Sequence, residues 1–293
     1  MQSPTERSIQ VNRGNLIDGK GIAGQIKQEL KDEIQRWSAK SGRRPGLTVI
    51  LVGEDPASET YVRGKVRDCE QVGIHSKLIQ KPDTIGEEEL LFEIHRLNED
   101  PAVDGILVQL PLPDHISTDR IISEIRPEKD VDGFHPLNAG RLSTGLESLL
   151  PCTPHGILQM LKRTGISIAG KHAVVVGRSN IVGKPISLLL QKENATVTMC
   201  HSRTEDLAHH TRQADILVAA VGRLHIITGD HVKPGAVVID VGMNRTPEGK
   251  LAGDVDFESV RERASYITPV PGGVGPMTRA MLLYNTVQAA QAT

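Results

Sequence analysis

The chain has 293 residues, 34 of them basic and 36 acidic, for a net charge of −2. This even balance leaves no basic footprint for nucleic acid and no polybasic patch for a membrane surface, so the expected partner is a small molecule. No apolar run approaches the ~20 residues of a membrane span, and the dispersed Cys69, Cys152 and Cys200 fit a reducing cytoplasm, without a disulfide or metal framework.

Met1 to Asn15 is polar and aperiodic and is expected to be a mobile tail. A helical pattern over 22–37 leads into Leu47–Val52, an apolar strand of the kind buried on both faces in parallel sheets, which stops at Gly53. A helix over 57–72 and a strand over 76–80 follow. Leu90, Ile94 and Leu97 then recur at helical spacing. A strand over 105–110 is stopped by Pro111, and Ser117 caps a helix ending near Arg126. The stretch from Pro136 to Pro151 is rich in turn residues and is taken as a domain boundary. Thr153 and Pro154 read as the N-cap and first residue of the next helix. Beyond them come a strand over 173–176, a helix, a strand over 195–200, a helix, strands over 216–221 and 236–241, and a final helix from Met277.

The expected fold is therefore two α/β domains with a cleft between them, the C-terminal one a Rossmann-like doubly wound parallel sheet. Residues 16–150 would form the first domain and 151–276 the second. Ligands on such sheets bind beyond the carboxyl ends of the strands.

One of those ends is distinctive. The run Ala173–Val176 breaks at Gly177 and passes through Arg178 and Ser179 to Gly183, where a helix begins. Gly177 would allow a tight turn and Gly183 a close helix–strand approach, as in a phosphate-binding loop, although the spacing departs from G-x-G-x-x-G. The next strand ends at His201-Ser202-Arg203, with no carboxylate to take a ribose hydroxyl. Arg178 and Arg203 are then either ligands for the 2′-phosphate of NADP or ordinary solvated cations. The eleven histidines form no H-E-x-x-H pattern and are read as surface or capping residues, with no metal site.

The first half carries a second constellation. Val62, Val66 and Cys69 form a core stripe, and Tyr61 and Lys65, four apart, lie on the neighbouring stripe. Gln109 ends a strand on the same rim, and Asp132 follows in a loop. A lysine buried beside a ring loses preference for its charged form and suits proton transfer; a snorkelling surface lysine is the alternative.

Tyr61-Val-x-x-Lys65, Val108-Gln-Leu-Pro-Leu-Pro113, Lys129-Asp-Val-Asp-Gly133, Gly177-Arg-Ser-x-Ile-Val-Gly-x-Pro185 and Pro269-Val-Pro-Gly-Gly-Val-Gly-Pro-Met-Thr278 together resemble the bifunctional methylenetetrahydrofolate dehydrogenase/methenyltetrahydrofolate cyclohydrolase family. The resemblance runs from Leu16 onward. It implies oxidation of 5,10-methylenetetrahydrofolate with NADP⁺ and hydrolysis of the resulting methenyl cation to 10-formyltetrahydrofolate. By that resemblance Lys65 is the acid/base of hydrolysis, Tyr61 stacks on the folate, Gln109 holds Lys65, and Asp132 anchors the pterin. Gly177, Arg178, Ser179 and Ser202 contact the cofactor phosphates, and Met243 meets the nicotinamide side. Pro271, Gly272 and Gly273 line the cleft. The resemblance further implies a cytoplasmic homodimer joined through the nucleotide domains, with the last helix, 277–293, completing the first domain. Thr60 stands where the family has Ser and keeps the hydroxyl. A monofunctional dehydrogenase, possibly with NAD, and a non-catalytic dinucleotide-binding protein are the alternatives. Retention of Lys65 with Gln109, and of Arg178 with Ser202, counts against them.

Overall fold

The computed structural model describes residues 14–292. Residues 1–13 of the expected tail lie outside the described residues, whereas Asn15 already belongs to a strand, β1 (Asn15–Leu16). There follow α1 (Gly19–Ser41), β2 (Gly46–Val52), α2 (Pro56–Val72), β3 (His75–Lys81), α3 (Glu87–Glu99), β4 (Gly105–Val108), α4 (Thr118–Glu124), α5 (Pro136–Thr144) and α6 (Cys152–Arg163). The C-terminal half continues as β5 (His172–Val176), α7 (Gly183–Lys192), β6 (Thr196–Cys200), α8 (Leu207–Thr211), β7 (Ile216–Ala219), β8 (Val237–Asp240), β9 (Asn244–Arg245), β10 (Leu251–Ala252), α9 (Phe257–Arg261), β11 (Tyr266–Ile267) and α10 (Val274–Ala292).

Two parallel sheets result. The first has the order β3-β2-β4, with every residue of β2 buried. The second has the order β1-β11-β8-β7-β5-β6, all parallel. Helix α10 lies against α1, α6 and α2, and its Met281 and Leu283 share one buried cluster with Val49 of the first sheet and Val175 of the second. A common core thus fixes the two sheets relative to each other, which is what gives a site between them a defined shape.

Three local readings change. The turn-rich boundary holds a helix, α5, capped by the His135 ring, which accepts from the Leu137 amide at 3.0 Å, and closed by Gly145 in the left-handed region. Of its residues only Asn138 and Leu142 are buried, too few to leave a helical period. Helix α6 starts a residue before Thr153, with Pro151 at the N-cap. The Thr153 hydroxyl pairs with that of Thr278 at 2.9 Å instead of capping. Helix α10 starts at Val274, and Pro276 is accommodated because first-turn amides have no helical acceptor.

Candidate active site

Lys65 and Tyr61 are delivered by α2, which Asp55 caps through the Ser58 amide (2.8 Å) and Gly73 terminates. Lys65 is only 6% exposed. Its Nζ stands 4.8 Å from the centroid of the Tyr61 ring and donates to Gln109 Oε1 at 3.0 Å. Gln109 follows β4 and is fixed twice, its amide donating to Ile50 O (2.9 Å) and its Nε2 to Leu110 O (2.7 Å). The second bond leaves Oε1 as the end presented to the lysine.

Burial lowers the Lys65 pKa from its ordinary value, and the Asp132 carboxylate opposes this. Burial likewise pushes the Asp132 carboxyl up to about 6, against the pull of the Lys65 ammonium. The Tyr61 phenol is raised by burial and stays protonated. An amine whose charged form burial disfavours, beside a carboxyl titrating near neutrality, suits proton transfer.

Asp132 owes its place to residues that sequence reasoning passed over. The Ile106 amide of β4 bonds to Lys129 O (2.8 Å), so the segment runs alongside the strand. Lys129 Nζ donates to Leu97 O (3.1 Å) and Asp100 O (2.8 Å), pinning it to the end of α3. Asp130 is buried and accepts from the His135 amide (2.8 Å) and Asn138 Nδ2 (3.0 Å). Val131 O receives the Cys152 thiol (3.2 Å) and Asn285 Nδ2 (2.8 Å). Cys152, expected to be an apolar filler, is thus also a donor. The Lys-Asp-Val-Asp run offered a signal for Lys129 and Asp130; nothing local marked Asn285.

A cleft of about 320 Å³ brings Tyr61, Met243, Pro271, Gly272 and Gly273 together with Thr153. Gly272 adopts φ +107, and its carbonyl accepts from the Lys20 amide at 3.0 Å, which holds the glycine loop against the start of α1. Lys65, Gln109 and Asp132 are outside this lining and join it through Tyr61. A cavity of about 310 Å³ lies at the opposite edge of the second sheet, beside Lys233 and Asp215, which pair with each other at 2.6 Å. It faces the amino ends of β5, β7 and β8, away from the edge where such sheets bind ligands.

The loop after β5 is shaped for a phosphate. Gly177 has φ +129, and a Cβ at Gly183 would meet the Arg178 amide nitrogen at 2.8 Å. Both positions require glycine. Ser179 Oγ accepts from the Val182 and Gly183 amides, each at 3.2 Å, so it caps α7. Its remaining hydroxyl proton can still be donated. Arg178 is exposed and, among the described residues, makes no ion pair or hydrogen bond. Ser202 is exposed beyond β6, whose Cys200 pairs in register with Val176 of β5, so Ser202 and Arg178 occupy adjacent strand ends. Met243 is 64% exposed. These groups fit an anionic dinucleotide: a backbone that admits no side chains and free donors around it.

Two buried carboxylates to which the sequence reading gave no role build the rest of this rim. Asp240 accepts from the amides of Gly242 (2.9 Å), Asp254 (2.9 Å) and Val255 (3.1 Å), and burial raises its pKa to about 6. Asp254 accepts from the amides of Val221 (2.7 Å), Gly222 (3.0 Å) and Arg223 (2.9 Å) and from Asn244 Nδ2 (2.9 Å). The ends of β7 and β8 are thereby tied to one another.

The sequence matches the catalytic-domain model of tetrahydrofolate dehydrogenase/cyclohydrolase over residues 17–132 and the NAD(P)-binding-domain model of the same family over residues 151–293. The bifunctional protein FolD of Brevibacillus brevis is 62% identical over 276 residues, which cover 94% of this chain and 97% of the relative. Among solved structures, the bifunctional FolD dehydrogenase/cyclohydrolase of Campylobacter jejuni superposes with a TM-score of 0.93 at 52% identity, covering 95% of this chain and 99% of that one. The methylenetetrahydrofolate dehydrogenase-cyclohydrolase of Trypanosoma brucei, complexed with NADP cofactor and inhibitor, gives 0.92 at 42% identity, covering 96% and 98%.

Proposed function

Since the chain belongs to the tetrahydrofolate dehydrogenase/cyclohydrolase family, we propose that the Lys65 cluster and the glycine-lined cleft carry two consecutive reactions on one bound folate. The enzyme oxidises 5,10-methylenetetrahydrofolate to the 5,10-methenyl cation with NADP⁺, and hydrolyses the cation to 10-formyltetrahydrofolate. The observation that carries this reading is the buried Lys65 amine, its Nζ 3.0 Å from Gln109 Oε1 and 4.8 Å from the Tyr61 ring centroid.

Tyr61 offers its ring to the folate, and Asp132 accepts two N–H bonds from the pterin edge while ionised. NADP⁺, when bound, supplies the hydride acceptor. Gly177, Arg178, Ser179 and Ser202 would hold its phosphates, and the Met243 backbone would border its nicotinamide. The chain's part in oxidation is to hold two rings together and keep water out, worth much of the barrier without any acid. Hydrolysis needs more. As water oxygen bonds to the methenyl carbon, Lys65 takes the proton. It returns that proton to N5 as the C–N5 bond breaks, while the remaining hydroxyl proton leaves to solvent, so that the formyl C=O forms on N10 and one net proton is released. Gln109 keeps Nζ aimed along this path, and burial keeps the amine available as a base.

In this reading residues 16–150, completed by the C-terminal helix, bind folate and residues 151–276 bind NADP. No helix among the described residues is long and apolar enough to cross a membrane. A cytoplasmic homodimer joined through the NADP-binding halves is the expected assembly, and sedimentation at micromolar concentration checks it. The activity test is an absorbance assay with 5,10-methylenetetrahydrofolate and either NADP⁺ or NAD⁺, followed by methenyl decay without cofactor. NADP⁺-preferring reduction together with protein-dependent decay is the expected result. Reduction without accelerated decay would leave a monofunctional dehydrogenase.

A further inference from the structure

Helix α10 does more than complete the core. From its second turn Arg279 reaches back to α2, where its Nε lies 3.1 Å from Asp68 Oδ2. The other Asp68 oxygen is 2.6 Å from Lys27 Nζ of α1. Asp68 is buried, its side chain 3% exposed, so three helices meet on one carboxylate that water does not reach. The Arg279 contact is an ion pair without the alignment of a hydrogen bond, because the guanidinium continues across α2. It crosses at Gly64, where a Cβ would stand 2.5 Å from Arg279 Nη1. Gly64 is the residue before Lys65 and one turn on from Tyr61, and Asp68 is one turn beyond Lys65. The guanidinium therefore rests on the stripe of α2 next to the one that carries the proposed chemistry.

We propose that Arg279 is a positioning residue for the hydrolysis step: anchored on Asp68 across Gly64, it fixes the face of α2 bearing Tyr61 and Lys65 and sets a second cation beside the lysine. The inference rests on the function proposed above for Lys65. The groups facing Lys65 are Gln109 after β4, Asp132 from the following loop, Cys152 of α6, Tyr61 and Cys69 of α2, and Arg279 of α10. Burial is the largest influence lowering the lysine's pKa, the Asp132 carboxylate raises it, and Arg279 lowers it. Arg279 also pulls the Tyr61 phenol down where Asp68 pushes it up. The ion pair with the buried Asp68 carboxylate holds the guanidinium on α2, within electrostatic reach of Lys65.

Arg279→Gln removes the charge, Arg279→Lys keeps it, and Gly64→Ala displaces the guanidinium while favouring the helix, which keeps the protein folded. For Arg279→Gln the limb of the methenyl-hydrolysis pH profile that reports deprotonation of Lys65 should move up by about half a unit, lowering the rate about threefold below that limb. Gly64→Ala should move it the same way. Arg279→Lys should restore the wild-type profile, and dehydrogenase turnover should stay within about twofold in all three. An unmoved limb in both Arg279→Gln and Gly64→Ala would overturn the proposal, as would equal losses in the two activities. Wild-type protein that fails to hydrolyse methenyltetrahydrofolate at all would overturn the underlying function instead, and a Lys65→Met control separates that case.

Discussion

The surroundings of Lys65 and the loop around Arg178 solve opposite problems. Around Lys65 the supporting polar groups are already engaged, Gln109 by two backbone bonds, Asp130 by its loop and Asp68 by two cations. Lys65, Asp68 and Asp130 are buried, while Tyr61, Gln109 and Asp132 are half-buried. Around Arg178 the backbone is fixed, by Gly177, Ser179, Asp240 and Asp254, while Arg178, Ser202 and Met243 stand exposed. A group that transfers protons needs a controlled charge state, which only burial with chosen neighbours supplies. A group that binds a phosphate needs an unspent donor and a rigid base beneath it.

If the contrast is real, substitutions on the two sides should separate two sets of kinetic constants. The largest effect expected is from Lys65→Met, which removes the amine and keeps apolar bulk. Methenyl hydrolysis should fall by about 10²–10⁴, the usual contribution of a positioned acid/base. Oxidation should persist, since it depends on orientation. Stopped-flow absorbance resolves the two steps, and undiminished hydrolysis would remove Lys65 from its role.

Next in size is Arg178→Ala. A charge-assisted hydrogen bond contributes about 1.5–3 kcal/mol, so the Michaelis constant for NADP⁺ should rise roughly 10- to 100-fold. That for NAD⁺ should barely change, and neither should hydrolysis. Equal changes for both cofactors would show that Arg178 does not meet the 2′-phosphate.

How much of this was legible beforehand follows the same divide. Strand β2 announced itself because a strand buried on both faces is apolar at every residue, and Tyr61 with Lys65 because helical spacing fixes which side chains adjoin. The glycine loop was legible because Gly177 and Gly183 sit where no Cβ fits. Strands β1 and β11, two residues each, were not, for their pairing is dictated by β8 and carries no period of its own. Asp240, Asp254 and Asn285 escaped for a different reason. Their work is to accept or donate backbone bonds across loops, as Asn285 does to Val131 O and Leu150 O, both at 2.8 Å. No local pattern encodes a partner that far along the chain. Ser179 was read as a ligand contact, and its capping role adds to that reading.

A milder effect should come from pH. With the Asp132 carboxyl at about 6 in the free enzyme, the carboxylate is present above that value and protonated below it. The protonated form accepts less and cannot take both pterin N–H groups as an anion does. The Michaelis constant for the folate, measured at saturating cofactor, should therefore be flat above about pH 6 and rise as pH falls below it, by at most tenfold per unit. In Asp132→Asn it should start higher and lose the bend. A bend that persists in the variant would assign the titration to another group.

The smallest effect tests the seam between the regions. Thr153 lines the cleft from α6, and its hydroxyl pairs at 2.9 Å with that of Thr278 on α10. Thr153→Val keeps the shape and deletes the pair. Thr278 can still donate to Val274 O at 3.3 Å, so no donor is stranded and the cost should be near the low end of a hydrogen bond, about 0.5–1 kcal/mol. That amounts to about 2 °C in Tm for a chain of this size, with both activities and both cofactor constants unchanged. The double variant Thr153→Val/Thr278→Val should lose less than the two single losses added, because each single change already breaks the shared bond. Kinetic change in Thr153→Val would mean that this hydroxyl serves the cleft itself, and the division between the two sides would have to be redrawn to include α6.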